Sequence, residues 1–312
     1  MRRLLLILML ALGWAAGSAR ADGVADAKAG MAAHERGDRG AAMRLYTQAL
    51  ASSDLSRESE AIVHNNRGLL YADEGRNGEA IADYDAAIRI DPDYAVAYYN
   101  RGLAYYHLFQ PERALADYSA AIRLKPDYAT AYLNRGNAHR VRREYEAAVA
   151  DETSAIRYKP DSALAHVNRA VDYFALGQLG SAAADLEKGV RLAPSNAYYV
   201  VWLHIVRSKL GGADTAELKR NVAGLDRGEW PAQAALYYLG QASAEQVRKA
   251  GAAAQSRDHM GESCEASFYL AESELAHGNR AAARKLLEQT QATCTQNFWE
   301  HTGAQAELKL MK

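Results

Sequence analysis

Proline and cysteine are both scarce here: six prolines and two cysteines stand among 312 residues. The prolines fall mostly between apolar-periodic segments, and alanine, tyrosine and charged residues are abundant. That is the composition of an all-helical chain. The two cysteines, Cys264 and Cys294, are 30 residues apart, which excludes a CxxC redox pair or a paired-cysteine metal knuckle. No cysteine precedes Cys264, so a lipoprotein's attachment point is missing and no lipid anchor is expected. Neither sign of charge dominates, with 37 Lys+Arg against 38 Asp+Glu. This leaves no basic footprint for nucleic acid and no acidic tail. HExxH, GxSxG and a phosphate-cradling glycine loop are all absent, and the nine histidines are dispersed. No catalytic residue, cofactor or metal is expected.

What the chain does have begins at its N-terminus. Met1-Arg2-Arg3 is a short positive region, and Leu4 through Ala16 is an apolar run too short to span a bilayer comfortably. Ala19-Arg20-Ala21 then puts small residues where a signal peptidase reads them. Residues 1–21 read as a secretory leader cleaved after Ala21, the alternative being an uncleaved membrane anchor. An exported protein of a Gram-negative periplasm is the expectation.

Beyond the leader, one triplet recurs at a fixed interval. Asn66-Arg67-Gly68 is followed every 34 residues by Asn100-Arg101-Gly102, Asn134-Arg135-Gly136 and Asn168-Arg169-Ala170. Such a period predicts stacked helical hairpins, each too small to bury its own apolar face. Gly68, Tyr71, Ala80, Tyr84, Ala87 and Pro92 mark one unit, and Gly102, Tyr105, Ala114, Tyr118, Ala121 and Pro126 the next. The third keeps Gly136, Ala148, Ala155 and Pro160 but has His139 and Glu152 where aromatics are usual. The fourth keeps Tyr173, Ala182 and Pro194. This pattern resembles the tetratricopeptide repeat (TPR) family. The resemblance implies an all-α, right-handed superhelical solenoid of antiparallel helix pairs with a C-terminal capping helix. Residues 61–196 make four units (61–94, 95–128, 129–162, 163–196). Residues 22–60 make a degenerate first repeat, carried by Gly30, Ala42, Tyr46 and Ala49, with about four residues inserted around Ser52–Ser59.

Two further columns follow the register. Arg67, Arg101, Arg135 and Arg169 each precede an aspartate by 16 residues: Asp83, Asp117, Asp151 and Asp185. Because acid and base repeat together, each hairpin is expected to hold a structural Arg–carboxylate pair rather than a ligand-binding arginine. Asn66, Asn100, Asn134 and Asn168 occupy a position that in this family faces the concave groove. There they would hydrogen-bond a partner's main chain, or else tie neighbouring helices together. Tyr99, Tyr106, His107, Asn137 and Arg140 also fall at groove positions and are expected to bind a partner. The lysine-rich clamp that some family members use to grip a terminal carboxylate is missing.

After Asn196 the period fails but helical pairs continue. Residues 197–262 read as irregular pairs, with Gly251–Asp258 as a loop or frayed end. Gly278-Asn279 makes a turn midway between Cys264 and Cys294, so 263–297 reads as a disulfide-linked hairpin if the compartment is oxidising. In 298–312, a final amphipathic helix would cap the solenoid. Phe298, Ala306, Leu308 and Leu310 would supply its apolar contacts, with Glu300, Gln305, Glu307 and Lys309 in water. It could instead dock a partner or a second copy of the chain. The series Trp230-Pro231, Tyr238-Leu239-Gly240, Cys264-Glu265-Ala266 and Phe268-Tyr269-Leu270 resembles the C-terminal region of periplasmic TPR proteins related to a bacterial lipoprotein adaptor family, a resemblance that covers most of the chain. The expected function is a non-catalytic scaffold of the cell envelope that binds a protein or peptide partner in its groove. The rivals are an envelope hydrolase or a regulatory subunit with a site in 197–262, and a self-assembling structural protein.

Overall fold

The computed structural model describes residues 22–212, 215–255 and 264–312. The expected leader lies outside the described residues. Among the described residues there are 17 helices and no strand. The chain divides into two compact units, Met1–Asp93 and Tyr94–Lys312.

The first unit holds two hairpins. α1 (Gly23–Glu35) pairs with α2 (Arg39–Ala51), and α3 (Arg57–Asp73) pairs with α4 (Asn77–Ile90). Side chains of Asp22, Asp38 and Ser56 cap α1, α2 and α3 by accepting from backbone N–H groups of the first turn. The close approach explains the repeat glycines. A Cβ on Gly30 would stand 2.7 Å from the Tyr46 ring, and one on Gly68 would stand 2.7 Å from the Tyr84 ring. Both tyrosines are fully buried, each contributing roughly 1.5–3 kcal/mol of transfer free energy. The four residues expected as extra turn mostly lengthen a helix instead. α3 has 17 residues, and only five residues lie between it and the end of α2.

In the second unit the same hairpin recurs three times: α5 (Ala95–His107) with α6 (Pro111–Leu124), α7 (Ala129–Val141) with α8 (Tyr145–Tyr158), and α9 (Ala163–Ala175) with α10 (Leu179–Leu192). Each second helix stops just before an X-Pro step, where the residue preceding proline is pushed out of helical geometry. α11 (Ala197–Lys209), α12 (Thr215–Val222), α13 (Ala232–Tyr238) and α14 (Ala244–Gln255) follow. α14 covers part of the stretch read as a loop; 256–258 lie outside the described residues. α15 (Cys264–Ala276) and α16 (Arg280–Thr293) form the hairpin closed by the Cys264–Cys294 disulfide. The largest core of this unit joins Val167, Val171 and Phe174 of α9 to Trp202 of α11 and Phe268 of α15.

The last helix, α17 (Trp299–Leu310), packs against α9 as well as α15 and α16. Its expected faces hold only in part: Ala306 and Leu308 pack against the core and Lys309 is exposed, but three residues depart from the pattern. Glu300 and Glu307 are buried, whereas Leu310 is 75% exposed. The reason is that polar partners wait inside. Glu300 Oε1 accepts from Trp202 Nε1 at 3.0 Å and from the Tyr269 hydroxyl at 2.6 Å, and Glu307 meets the Lys209 ammonium at 2.9 Å. The small Gly303 lets the helix seat closely, since a Cβ there would stand 2.5 Å from the Phe268 ring.

Candidate functional site

The four repeating Arg–Asp columns form bidentate forks inside their hairpins. Nε of Arg67, Arg101, Arg135 and Arg169 lies 2.8, 2.8, 2.8 and 2.7 Å from one oxygen of Asp83, Asp117, Asp151 and Asp185. Nη2 lies 2.8, 2.7, 2.6 and 2.8 Å from the other oxygen. The aspartates are buried and the arginines half-buried, so these groups staple the first helix of each pair to the second. Burial pushes Asp83 upward, but the Arg67 and His64 hydrogen bonds outweigh it and hold the carboxyl below its usual range.

The inner-face asparagines are spent differently from one hairpin to the next. In the first unit, Asn66 is half-buried and accepts from Asn65 Nδ2 at 3.3 Å. In the second, Asn100 is buried, and Asn134 Nδ2 donates to the Tyr99 hydroxyl at 2.8 Å. Asn168 is almost fully enclosed. Its Nδ2 donates to Asn137 Oδ1 at 2.9 Å, and its Oδ1 accepts from Trp299 Nε1 at 2.9 Å. Asn168 is therefore corrected from a partner-binding residue to a latch between α9 and α17.

Arg140 needs the same correction. It sits at an inner-face position yet is only 4% exposed. Its Nε and Nη2 each donate to Asp172 at 2.8 Å, Nη2 also reaches Glu152, and Nη1 donates to Asn137 Oδ1 at 3.0 Å. The cause lies in its own hairpin. Where the two preceding repeats put a tyrosine against the glycine, this one has Glu152, whose carboxyl leaves room for a guanidinium behind it. Burial opposes the Arg140 charge, but the Asp172 and Glu152 carboxylates more than restore it. Burial, then Asp172, pushes Glu152 well above the usual carboxyl range.

In the second unit, what remains accessible on this face lies on α5 and α7. Tyr99, Tyr106 and Asn137 are half-buried and His107 is exposed. Phe109, which sequence reasoning passed over, extends this surface: it is 63% exposed and, with Tyr106, His107, Pro111, Val141 and Asn297, rims a shallow notch. Its backbone has φ 56, in the left-handed region. Arg143, one repeat later, has φ 63. Gly75 and Gly177 hold the same turn position in their repeats, with φ 73 and 74. The signal was present in the register, as a bulky residue where the turn wants glycine. Arg143 uses its place to reach α17. Gln305, oriented to satisfy both ends, donates to the Tyr145 hydroxyl at 2.6 Å and accepts from Arg143 Nη2 at 2.7 Å.

Family models for the TPR repeat and the tetratricopeptide repeat match residues 68–108 and 95–128. The chain carries tetratricopeptide repeats. Its helix pairs pack as in solved TPR structures. A TPR protein from Parabacteroides merdae is 13% identical, over 91% of this chain and 98% of that one, at a TM-score of 0.57. YrrB, described as a TPR protein with an unusual peptide-binding site, is 19% identical over 59% of this chain and 93% of its own, at 0.51. MamA is 23% identical over 57% of this chain and 94% of its own, at 0.50. These likenesses are of fold. No curated protein matches the sequence.

Proposed function

We propose that this TPR protein is a non-catalytic interaction scaffold of the bacterial cell envelope, holding a segment of a protein partner against the inner face of α5 and α7. One observation carries the reading. On that face α9 is covered by the chain's own α17, whereas Tyr99, Tyr106 and His107 stay accessible beside the exposed Phe109. Tyrosine and phenylalanine are the rigid, amphipathic or apolar anchors on which interfaces concentrate their energy. The left-handed backbone at Phe109 has a stability cost that local packing does not recover, since the ring stands in water. The fold shared with YrrB, a protein described by its peptide-binding site, supports the same reading.

Export to the periplasm is part of the proposal. It is supported by the residues of the expected leader and by the Cys264–Cys294 disulfide, which suits an oxidising compartment. A photo-crosslinking residue placed at His107 or Phe109 in intact cells should yield discrete adducts with an envelope protein. The same residue at Arg123, exposed on α6, should not. Equal labelling at all three positions, or none at any, would reject the assignment.

A further inference from the structure

α11, α13 and α15 line a half-open cavity of about 490 Å³, away from the inner face of the repeats. Its size is that of a small-molecule site, not of a packing defect. Ile205 and Leu275 give it an apolar side, and Tyr237 and Tyr238 an aromatic one. The His204 ring lies 4.9 Å from that of Tyr238. Burial lowers the affinity of His204 for a proton, so it brings no positive charge near neutrality.

The polar end is unbalanced. Lys209 is the only lysine or arginine among the described lining residues. Its ammonium is already shared between Glu272 Oε2 at 2.8 Å and Glu307 Oε1 at 2.9 Å. Two carboxylates thus face one cation. Glu272 is 5% exposed, and its second oxygen, Oε1, is buried without a hydrogen-bond partner. An enclosed acceptor with no donor is an unpaid desolvation that a ligand can relieve. Burial raises the Glu272 carboxyl, Lys209 lowers it and Glu307 raises it again, which leaves it pushed up to about 7. A second cation beside it would hold the carboxylate ionised.

We infer that this cavity binds a small molecule or side chain bearing a primary ammonium on an apolar stem. The ammonium donates to Glu272 and the stem lies against Tyr237 and Tyr238, whose ring faces also attract a cation. A free amine and a partner's lysine side chain share this chemistry.

The test is calorimetric titration of the full chain with three probes: tyramine, a blocked Gly-Lys-Gly tripeptide, and 4-ethylphenol as the uncharged control. Saturable one-to-one binding of tyramine supports a free amine. Binding of the tripeptide alone supports a lysine side chain. In either case Glu272→Gln should weaken the probe about tenfold or more, since a charge-assisted contact becomes a neutral one. Ala276→Trp, at an exposed position on the cavity rim, should abolish binding while leaving Lys209 and Glu272 in place. The Trp variant keeps the test decisive if the Gln variant fails to fold. Failure of both amines to bind, equal binding of 4-ethylphenol, or binding unaffected by Ala276→Trp would overturn the inference.

Discussion

Trp299 Nε1 donates to Asn168 Oδ1 at 2.9 Å across 131 residues of chain. Through that bond and the Gln305–Arg143 contact, α17 lies on the inner side of the repeats instead of only finishing their stack. Ending the chain before Trp299 would uncover Val171, Phe174, Trp202 and Phe268 together. Trp299→Ala alone should destabilise the protein by roughly 2–4 kcal/mol, toward the low end of aromatic truncations because the ring is only half-buried. A urea melt checks it; no shift in midpoint would mean that α17 is peripheral to the fold.

The buried cluster around Arg140 makes a sharper prediction. Arg140→Ala leaves Glu152 and Asp172 facing each other without a cation and should cost about 3–5 kcal/mol. Replacing all three by apolar residues, Arg140→Leu with Glu152→Tyr and Asp172→Val, should recover most of that loss. The repeat would then regain the glycine–tyrosine contact seen at Gly68 and Tyr84. If the triple variant is no more stable than the single one, the cluster contributes something that packing does not replace.

These two cases show how far the sequence could be read. The 34-residue register contains the helix pairs, and glycine and tyrosine sixteen residues apart encode the close approach in three of them, at Gly30 and Tyr46, Gly68 and Tyr84, and Gly102 and Tyr118. It also names the inner-face positions. It is silent on which of them stay open, because that depends on α17 arriving from 131 residues away, where no period points to α9. Asn168 looks like its three counterparts in sequence and differs only in what covers it. Glu152 was visible as a departure from the pattern. Its consequence for Arg140 required Asp172 on the next repeat, a contact between hairpins that spacing within one hairpin does not encode. Glu300 and Glu307 misled in the same way, since a glutamate buried against tryptophan, tyrosine and lysine reads in sequence as a wet one.

Phe109 separates stability from binding. Phe109→Gly relieves a left-handed backbone and removes little buried surface, so it should raise stability by up to about 1 kcal/mol. The same change should weaken capture of the partner. Thermal unfolding and crosslinking yield are the two readouts; a loss of stability would show the ring to be part of the core after all.

The Cys264–Cys294 disulfide closes a loop of 30 residues. On the chain-entropy model it contributes about 3–4 kcal/mol by restricting the unfolded state. Replacing both cysteines with serine should lower the urea midpoint accordingly. Adding reductant should do the same to the native chain and nothing further to the variant.

The pH dependence of stability follows from Glu272. Its carboxyl is pushed up to about 7 in the folded protein, against an ordinary value of 4.5. Between these values the folded state binds more protons than the unfolded one, so stability falls as pH rises through the window. Glu152 and Glu300 are raised as well and act in the same direction. Asp83 and the exposed Glu79 and Glu144 are lowered and act oppositely toward the lower end of the window, and the half-buried His204 and His301, lowered by desolvation, act oppositely toward its upper end. Glu272→Gln should therefore flatten the decline between about pH 4.5 and 7 without removing it. A saturating amine in the cavity should flatten it too, by lowering the cost of the folded carboxylate. Urea melts across the window measure both slopes. A pH slope that Glu272→Gln leaves unchanged would contradict the burial of this carboxyl beside Lys209 and Glu307.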